Sequence, residues 1–74
     1  MDEQGLIRQY RGLVLFYVGE ISARVPRWVD RDDLTSAGMV GLLHALRSFD
    51  PARGVRFLTF ARFRIRGAIY DELG

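Results

Sequence analysis

The sequence predicts an all-α chain folded as a compact bundle of three main helices. Apolar residues recur at three- and four-residue steps through three segments, the spacing that lines one face of a helix. Pro26 and the group Asp50, Pro51 and Gly54 interrupt those segments where turns are needed. A hydrophobic content of 49% over 74 residues is ample for a core and too high for a disordered tail.

The first helix is expected over Glu3 to Val25. Leu6, Tyr10, Leu13, Val14, Tyr17, Val18, Ile21 and Val25 form one apolar stripe, and Pro26 stops the helix by pushing the preceding residue out of helical geometry. Gly12 and Gly19 each cost about 1 kcal/mol of helix propensity relative to alanine, which points either to close approach by another helix or to a weaker helix. A short connection carrying Trp28 follows, and Asp30 or Asp32 offers a carboxylate to cap the next helix.

The second helix is expected from Arg31 to Phe49. Leu34, Gly38, Gly41, Leu42, Ala45, Leu46 and Phe49 share its core arc, with the two glycines allowing a neighbour to pack closely. Asp33, Ser36, Met39, Val40 and Leu43 fall on another arc, where a free-standing helix would carry charges. An acidic residue leading into exposed apolar ones suggests a docking strip for a partner helix. The alternative is that the first helix covers both arcs.

The turn Asp50 to Gly54 leads into a third helix from Phe57 to Leu73. Its core arc is Phe57, Leu58, Ala61, Ile65, Ala68, Ile69 and Leu73, while Phe60, Phe63, Gly67 and Tyr70 form a second arc. Arg64 borders both arcs, and Arg62 and Arg66 lie on the far side.

A chain of 74 residues makes one small domain, burying only about 60% of its unfolded surface. Without cysteine there is neither a disulfide nor a thiolate metal site, and His44 alone makes no imidazole zinc site. No metal or cofactor is therefore expected. No apolar run approaches the ~18 residues that span a bilayer, and the start MDEQG is unlike a secretory signal, so the expected setting is cytoplasmic without membrane contact. His44 has no nucleophile or paired carboxylate to activate, and Asp32 with Asp33, like Asp71 with Glu72, reads as helix-end charge. No catalytic constellation and no phosphate-cradling glycine loop is present, and the chain is not expected to be an enzyme.

The net charge is only +2, but all eleven basic residues are arginine, and Arg53, Arg56, Arg62, Arg64 and Arg66 crowd into one segment. A GC-rich coding sequence explains the missing lysine and leaves the clustering unexplained. Four phenylalanines and a tyrosine lie among these arginines between Phe49 and Leu73. Rings that stack on unpaired bases, beside guanidinium groups that hold phosphate, are what single-stranded nucleic-acid binding needs. The same rings could instead be core, packed on Phe16 and Tyr17. On composition both readings stand.

The run DLTSAGMVGLLHALRSFDPARGVRFLTFARFRIRGAIYDEL, Asp33 to Leu73, closely resembles the second conserved region of bacterial RNA polymerase sigma factors. Its RIRGA and DEL segments are similar to those of the alternative sigma factors of flagellar motility and sporulation, and LIRQYRGLVLFYVGEISARV is similar in pattern to the helix preceding that region. The resemblance covers nearly the whole chain and implies a single sigma factor domain 2 over residues 1–74. It further implies binding to core RNA polymerase and melting of the promoter minus-ten element to start transcription of motility or sporulation genes.

By motif position, the resemblance puts the contact with the clamp helices of the polymerase's largest subunit on Asp33, Ser36, Ala37, Met39 and Leu43, to which the strip reading adds Val40. It puts promoter DNA and a flipped nontemplate base on Phe49, Asp50, Arg53, Thr59, Phe60, Phe63 and Arg64, to which the cation pattern adds Arg56. Many members have glutamine where Ser36 stands and primary factors have glutamate at Ala37, so the strip has less polar reach here. Phe60 stands where tyrosine is usual, and Arg64 and Gly67 replace the primary factors' tryptophan and glutamine. Members continue past the position of Gly74, so the chain is expected to be either a domain taken from a longer factor, the favoured reading, or a natural fragment of one. The resemblance further implies inhibition by an anti-sigma factor on the same surfaces and, in the sporulation branch, permits one that carries a cyclic dinucleotide. The rival reading is a helical protein-interaction module whose chief role is as the docking target of such an inhibitor.

Overall fold

A computed structural model describes residues 2–74. Its helices are α1 (Glu3–Ser22), α2 (Arg31–Ser48) and α3 (Phe57–Leu73), with one turn of 3-10 helix at Pro51–Arg53 between the last two. Among the described residues there is no strand, so the all-α three-helix expectation holds.

Aspartates open three of the helical elements. Asp2 accepts from the Gln4 N–H at 3.1 Å, Asp30 from the Asp32 N–H at 2.8 Å, and Asp50 from the Ala52 N–H at 2.9 Å. Each removes an orphan donor from a first turn, where the helix dipole also favours negative charge. Of the two expected caps for α2, Asp30 is the one used. Gly54 closes the 3-10 turn at φ 75°, in the left-handed region that glycine enters without a Cβ penalty.

The first helix ends three residues before the expected Val25. The Gly19 carbonyl accepts both the Ala23 N–H and the Ser22 hydroxyl, and Arg24 N–H turns back to Ile21. Ser22 thus competes for backbone acceptors just where Pro26 begins to restrict the chain, and the last turn unwinds. At the end of α2, Phe49 has already turned extended at ψ 130°, so the expected boundary is one residue long.

The core takes Val14, Val18 and Ile21 from α1, Leu34, Leu42 and Ala45 from α2, and Ala61, Ile65 and Ile69 from α3. α2 is the central element, packing along both of the others, whereas α1 and α3 touch little. The glycines of α2 make this possible. A Cβ on Gly38 would come within 2.7 Å of Val14 Cγ1, and one on Gly41 within 2.7 Å of the Arg64 carbonyl oxygen. The glycines of α1 are not needed for close helix approach: a Cβ on Gly12 meets nothing within 4 Å, and one on Gly19 would stand at an ordinary 3.4 Å from the guanidinium of Arg31, the first residue of α2. For these two the weaker-helix reading is the correct one.

Leu58 was expected in the core and is 43% exposed. At the first turn of α3 the space against the bundle is taken by Phe57, whose ring packs on Tyr10 and Phe49. An ion pair ties the start of α1 to the end of α2. Arg47 Nε donates to Glu3 Oε2 at 3.1 Å and its Nη2 to Oε1 at 3.2 Å. Those hydrogen bonds first, and the charge attraction second, raise the Arg47 pKa from its ordinary value.

Candidate functional site

The second arc of α3 is open to solvent over most of its length. Phe63 is 69% exposed, Tyr70 is 46% exposed and Gly67 lies bare between them. Phe60 is half-buried, with its ring resting on Phe49 at a centroid distance of 5.8 Å and a tilt of 44°. The exposed guanidinium of Arg64 lies over that ring, 5.7 Å from the centroid. One ring therefore has a second ring behind it and a cation beside it.

The core alternative is met in part: Phe60 packs against the core, but the arc does not pack on Phe16 and Tyr17. Phe16 sets its edge against Tyr17 at 5.3 Å, and Arg66 lies over Tyr17 at 5.8 Å. Only Tyr70 reaches that side, lining with Phe16, Tyr17, Arg24 and Arg66 an open cleft of about 340 Å³.

The turn before α3 supplies further charge. Asp50 caps the 3-10 turn and also faces Arg53, whose Nε is 3.8 Å from its Oδ2. Both are exposed, as are Arg56 and Thr59. An exposed pair at this distance adds little stability, so the Arg53 guanidinium exchanges Asp50 for another anion at small cost. The fold brings Phe49, Phe60 and Arg64 into one cluster; Asp50, Arg53, Arg56 and Thr59 sit at exposed positions around the start of α3.

The strip on α2 is less open than its sequence suggests. Asp33, Ser36 and Val40 are exposed, Val40 at 50%. Ala37, Met39 and Leu43 are half-buried, and Met39 packs against the core. The expectation of three exposed apolar side chains is corrected to one. Met39 stands one and two helical turns before the inward-facing Leu42 and Leu46, which turns it toward the bundle. His44 is exposed, beside a shallow hollow that it lines with Ala37, Val40, Ala68, Asp71 and Glu72.

Two features escaped the sequence reading. One is the Glu3–Arg47 pair. The other is a run of ring contacts, Tyr10 to Phe57 to Phe49 to Phe60, at centroid distances of 5.1, 5.2 and 5.8 Å. The aromatic content of those segments was the available signal; the pairing depends on how α1 lies against α3. Among the described residues there is no cluster of metal-ligating side chains, and no helix is long and apolar enough to cross a membrane.

An arginine-lined aromatic face on one helix, beside a second helix with a partly apolar outer strip, defines a small α-helical interaction domain. The chain belongs to the Sigma-70 region 2 family, whose model matches residues 6–74. It is similar to the RNA polymerase sigma-D factor of Bacillus subtilis, 54% identical over 68 residues, covering 92% of this chain and 27% of that protein. It is also similar to the RNA polymerase sigma factor FliA of Escherichia coli K12, 42% identical over 73 residues, which is 99% of this chain and 30% of that one. The FliA of Pseudomonas aeruginosa is 41% identical over 72 residues, 97% of this chain and 29% of that protein. The chain thus spans under a third of the length of these relatives. No solved structure matches it.

Proposed function

We propose that this chain is the part of an alternative, motility- or sporulation-type sigma factor that docks on RNA polymerase through α2 and holds the unpaired minus-ten strand on α3. The observation that carries the proposal is the Phe60 platform: a ring backed by Phe49, with the exposed Phe63 one turn along and over it the guanidinium of Arg64, which gives up the ring face to a base when it turns to a phosphate. Membership of the Sigma-70 region 2 family, and likeness to proteins named as RNA polymerase sigma factors, support assigning that platform to promoter DNA.

In this reading the domain has no chemical step to perform. Phe60 and Phe63 stack on bases that have left the duplex, each stack contributing about 1–3 kcal/mol. Phe49 backs the platform, Thr59 offers a hydroxyl beside it, and Asp50 fixes the turn and supplies a carboxylate for base-edge donors. Arg53, Arg56 and Arg64 neutralise phosphates, which makes binding depend on salt through release of counterions. Melting follows from difference in affinity: a surface that binds the unpaired strand and not the duplex shifts the equilibrium toward the open form.

On α2, Asp33 and Ser36 supply polar contacts, and Val40 with the accessible parts of Ala37, Met39 and Leu43 supplies the apolar patch for a helical partner. The clamp helices of the polymerase's largest subunit are the proposed partner, which sets the protein at work in the cytoplasm. An anti-sigma factor is a second reading for the same strip, since the half-exposed Val40 offers either helical partner the same apolar contact.

The test is binding of minus-ten single-stranded DNA by the wild-type chain and by Phe60→Ala in the presence of core polymerase. The proposal expects the variant to lose about 1–3 kcal/mol of affinity. Equal affinity of the two proteins for that strand would dismiss α3 as the DNA-holding surface.

A further inference from the structure

The ring contacts that reach Phe60 do not stop at Phe49. Phe49 sets its edge to Phe57 at 5.2 Å and 82°, and Phe57 meets Tyr10 of α1 at 5.1 Å and 59°. Phe57 is the first residue of α3, and α3 starts without the device that holds the other helical elements. Asp2, Asp30 and Asp50 each cap a first turn through a side-chain carboxylate, whereas Arg56 at the equivalent place makes no such bond. Since α1 and α3 otherwise touch little, the Tyr10–Phe57 contact is a main tie between α1 and the start of α3.

The other side of this ring group is not filled. Leu6, Tyr10, Leu46, Phe49 and Phe57 line an open apolar hollow of about 270 Å³. The hollow is open and lined by apolar side chains, so a ring released from one neighbour has somewhere to go. Phe57 is thus held by Tyr10 on one side and Phe49 on another, with free space beside it.

We infer that Tyr10 is a positioning residue for the base-stacking ring of Phe60, acting through Phe57 and Phe49. This rests on the reading of Phe60 as a stacking residue in promoter binding. Tyr10 need not touch the stacked base itself. Without its ring, Phe57 slips into the hollow, Phe49 follows, and Phe60 loses the backing that presents its face. Ring–ring contacts of this kind are orientational as well as adhesive, because the aromatic quadrupole favours tilted and edge-on arrangements over others.

The experiment uses the chain bound to core polymerase and a minus-ten single strand carrying 2-aminopurine at the flipped position, whose emission is quenched when it stacks. Tyr10→Leu is expected to weaken binding about 3- to 10-fold, and to add nothing once Phe60→Ala is already present, the signature of two residues acting as a unit. In the saturated complex, where only folded and bound protein contributes, Tyr10→Leu is expected to leave the probe brighter than wild type. Tyr10→Phe, which keeps the ring, restores both readings, and Phe57→Leu reproduces the defect one contact nearer the platform.

Multiplicative losses from Tyr10→Leu and Phe60→Ala, or unchanged quenching in both Tyr10→Leu and Phe57→Leu, overturn the inference while leaving the DNA reading intact. Phe60→Ala without effect removes the DNA reading, and the inference with it. The three results are distinct.

Discussion

The guanidinium of Arg64 lies over the ring of Phe60, 5.7 Å from its centroid, on the solvent side of α3. An exposed cation–π contact contributes only about 0.5–1 kcal/mol, so the fold does not depend on it. For nucleic acid the pairing matters more, because one side chain offers a π-face beside a cation that follows the phosphate. Arg64→Gln is expected to leave thermal stability within about 1 kcal/mol of wild type. The same variant is expected to flatten the slope of log affinity against log salt for single-stranded DNA by about 0.7, the share of one neutralised phosphate. A salt titration of binding for the two proteins measures it.

Phe63 separates function from folding most cleanly. At 69% exposure its ring has little packing to lose. Phe63→Ala is expected to change the urea unfolding midpoint by no more than about 0.5 kcal/mol in equivalent free energy. Its affinity for the unpaired minus-ten strand should fall by about 1–3 kcal/mol. A variant that unfolds more easily and binds normally would show Phe63 to be a packing residue.

On α2, Val40 and Leu34 give opposite expectations from neighbouring turns. Val40→Glu places a charge on a half-exposed site, so the domain should stay folded while retention on the polymerase clamp helices drops. Leu34 is fully buried, and Leu34→Ala is expected to cost about 2–5 kcal/mol through lost burial and a residual cavity. Pull-down together with denaturation of both variants tells a docking contact from a core one.

The helix-forming glycines split by position. Gly38→Ala would drive a Cβ to 2.7 Å from Val14 Cγ1, and overpacking of that kind is expected to destabilise by about 1–3 kcal/mol. Gly12→Ala meets nothing within 4 Å and should stabilise α1 by about 1 kcal/mol. Thermal unfolding of the pair reads the opposite signs directly.

Losing the carboxylate that opens α2 has a local cost. Asp30→Ala leaves the Asp32 N–H without its acceptor and is expected to cost about 1 kcal/mol. The denaturant slope should stay the same, because the surface exposed on unfolding does not change.

Much of this architecture was legible in the residues. The bounds of α3 coincide with the predicted Phe57 to Leu73, because Gly54 and the apolar spacing both mark them, and the α2 core arc was right at Leu34, Gly38, Gly41, Leu42 and Ala45. A periodicity argument sees one helix at a time, and its errors follow from that. It placed Leu58 inside without knowing that Phe57 would take the space beside Tyr10, and placed Met39 outside without knowing how closely the bundle would reach round α2. The Phe49–Phe60 backing joins two elements across a turn and the Tyr10–Phe57 contact joins α1 to α3, so neither follows from any single helix.

A last consequence comes from Gly41. With no side chain there, the backbone of α3 at Arg64 lies directly against α2. The two helices therefore have no compliant layer of side chains between them at that level, and a displacement of one is transmitted to the other without slack. On the proposed reading, a partner that grips α2 would also aim the arginine and its ring, so anchoring the domain and orienting its reading surface would become a single mechanical event.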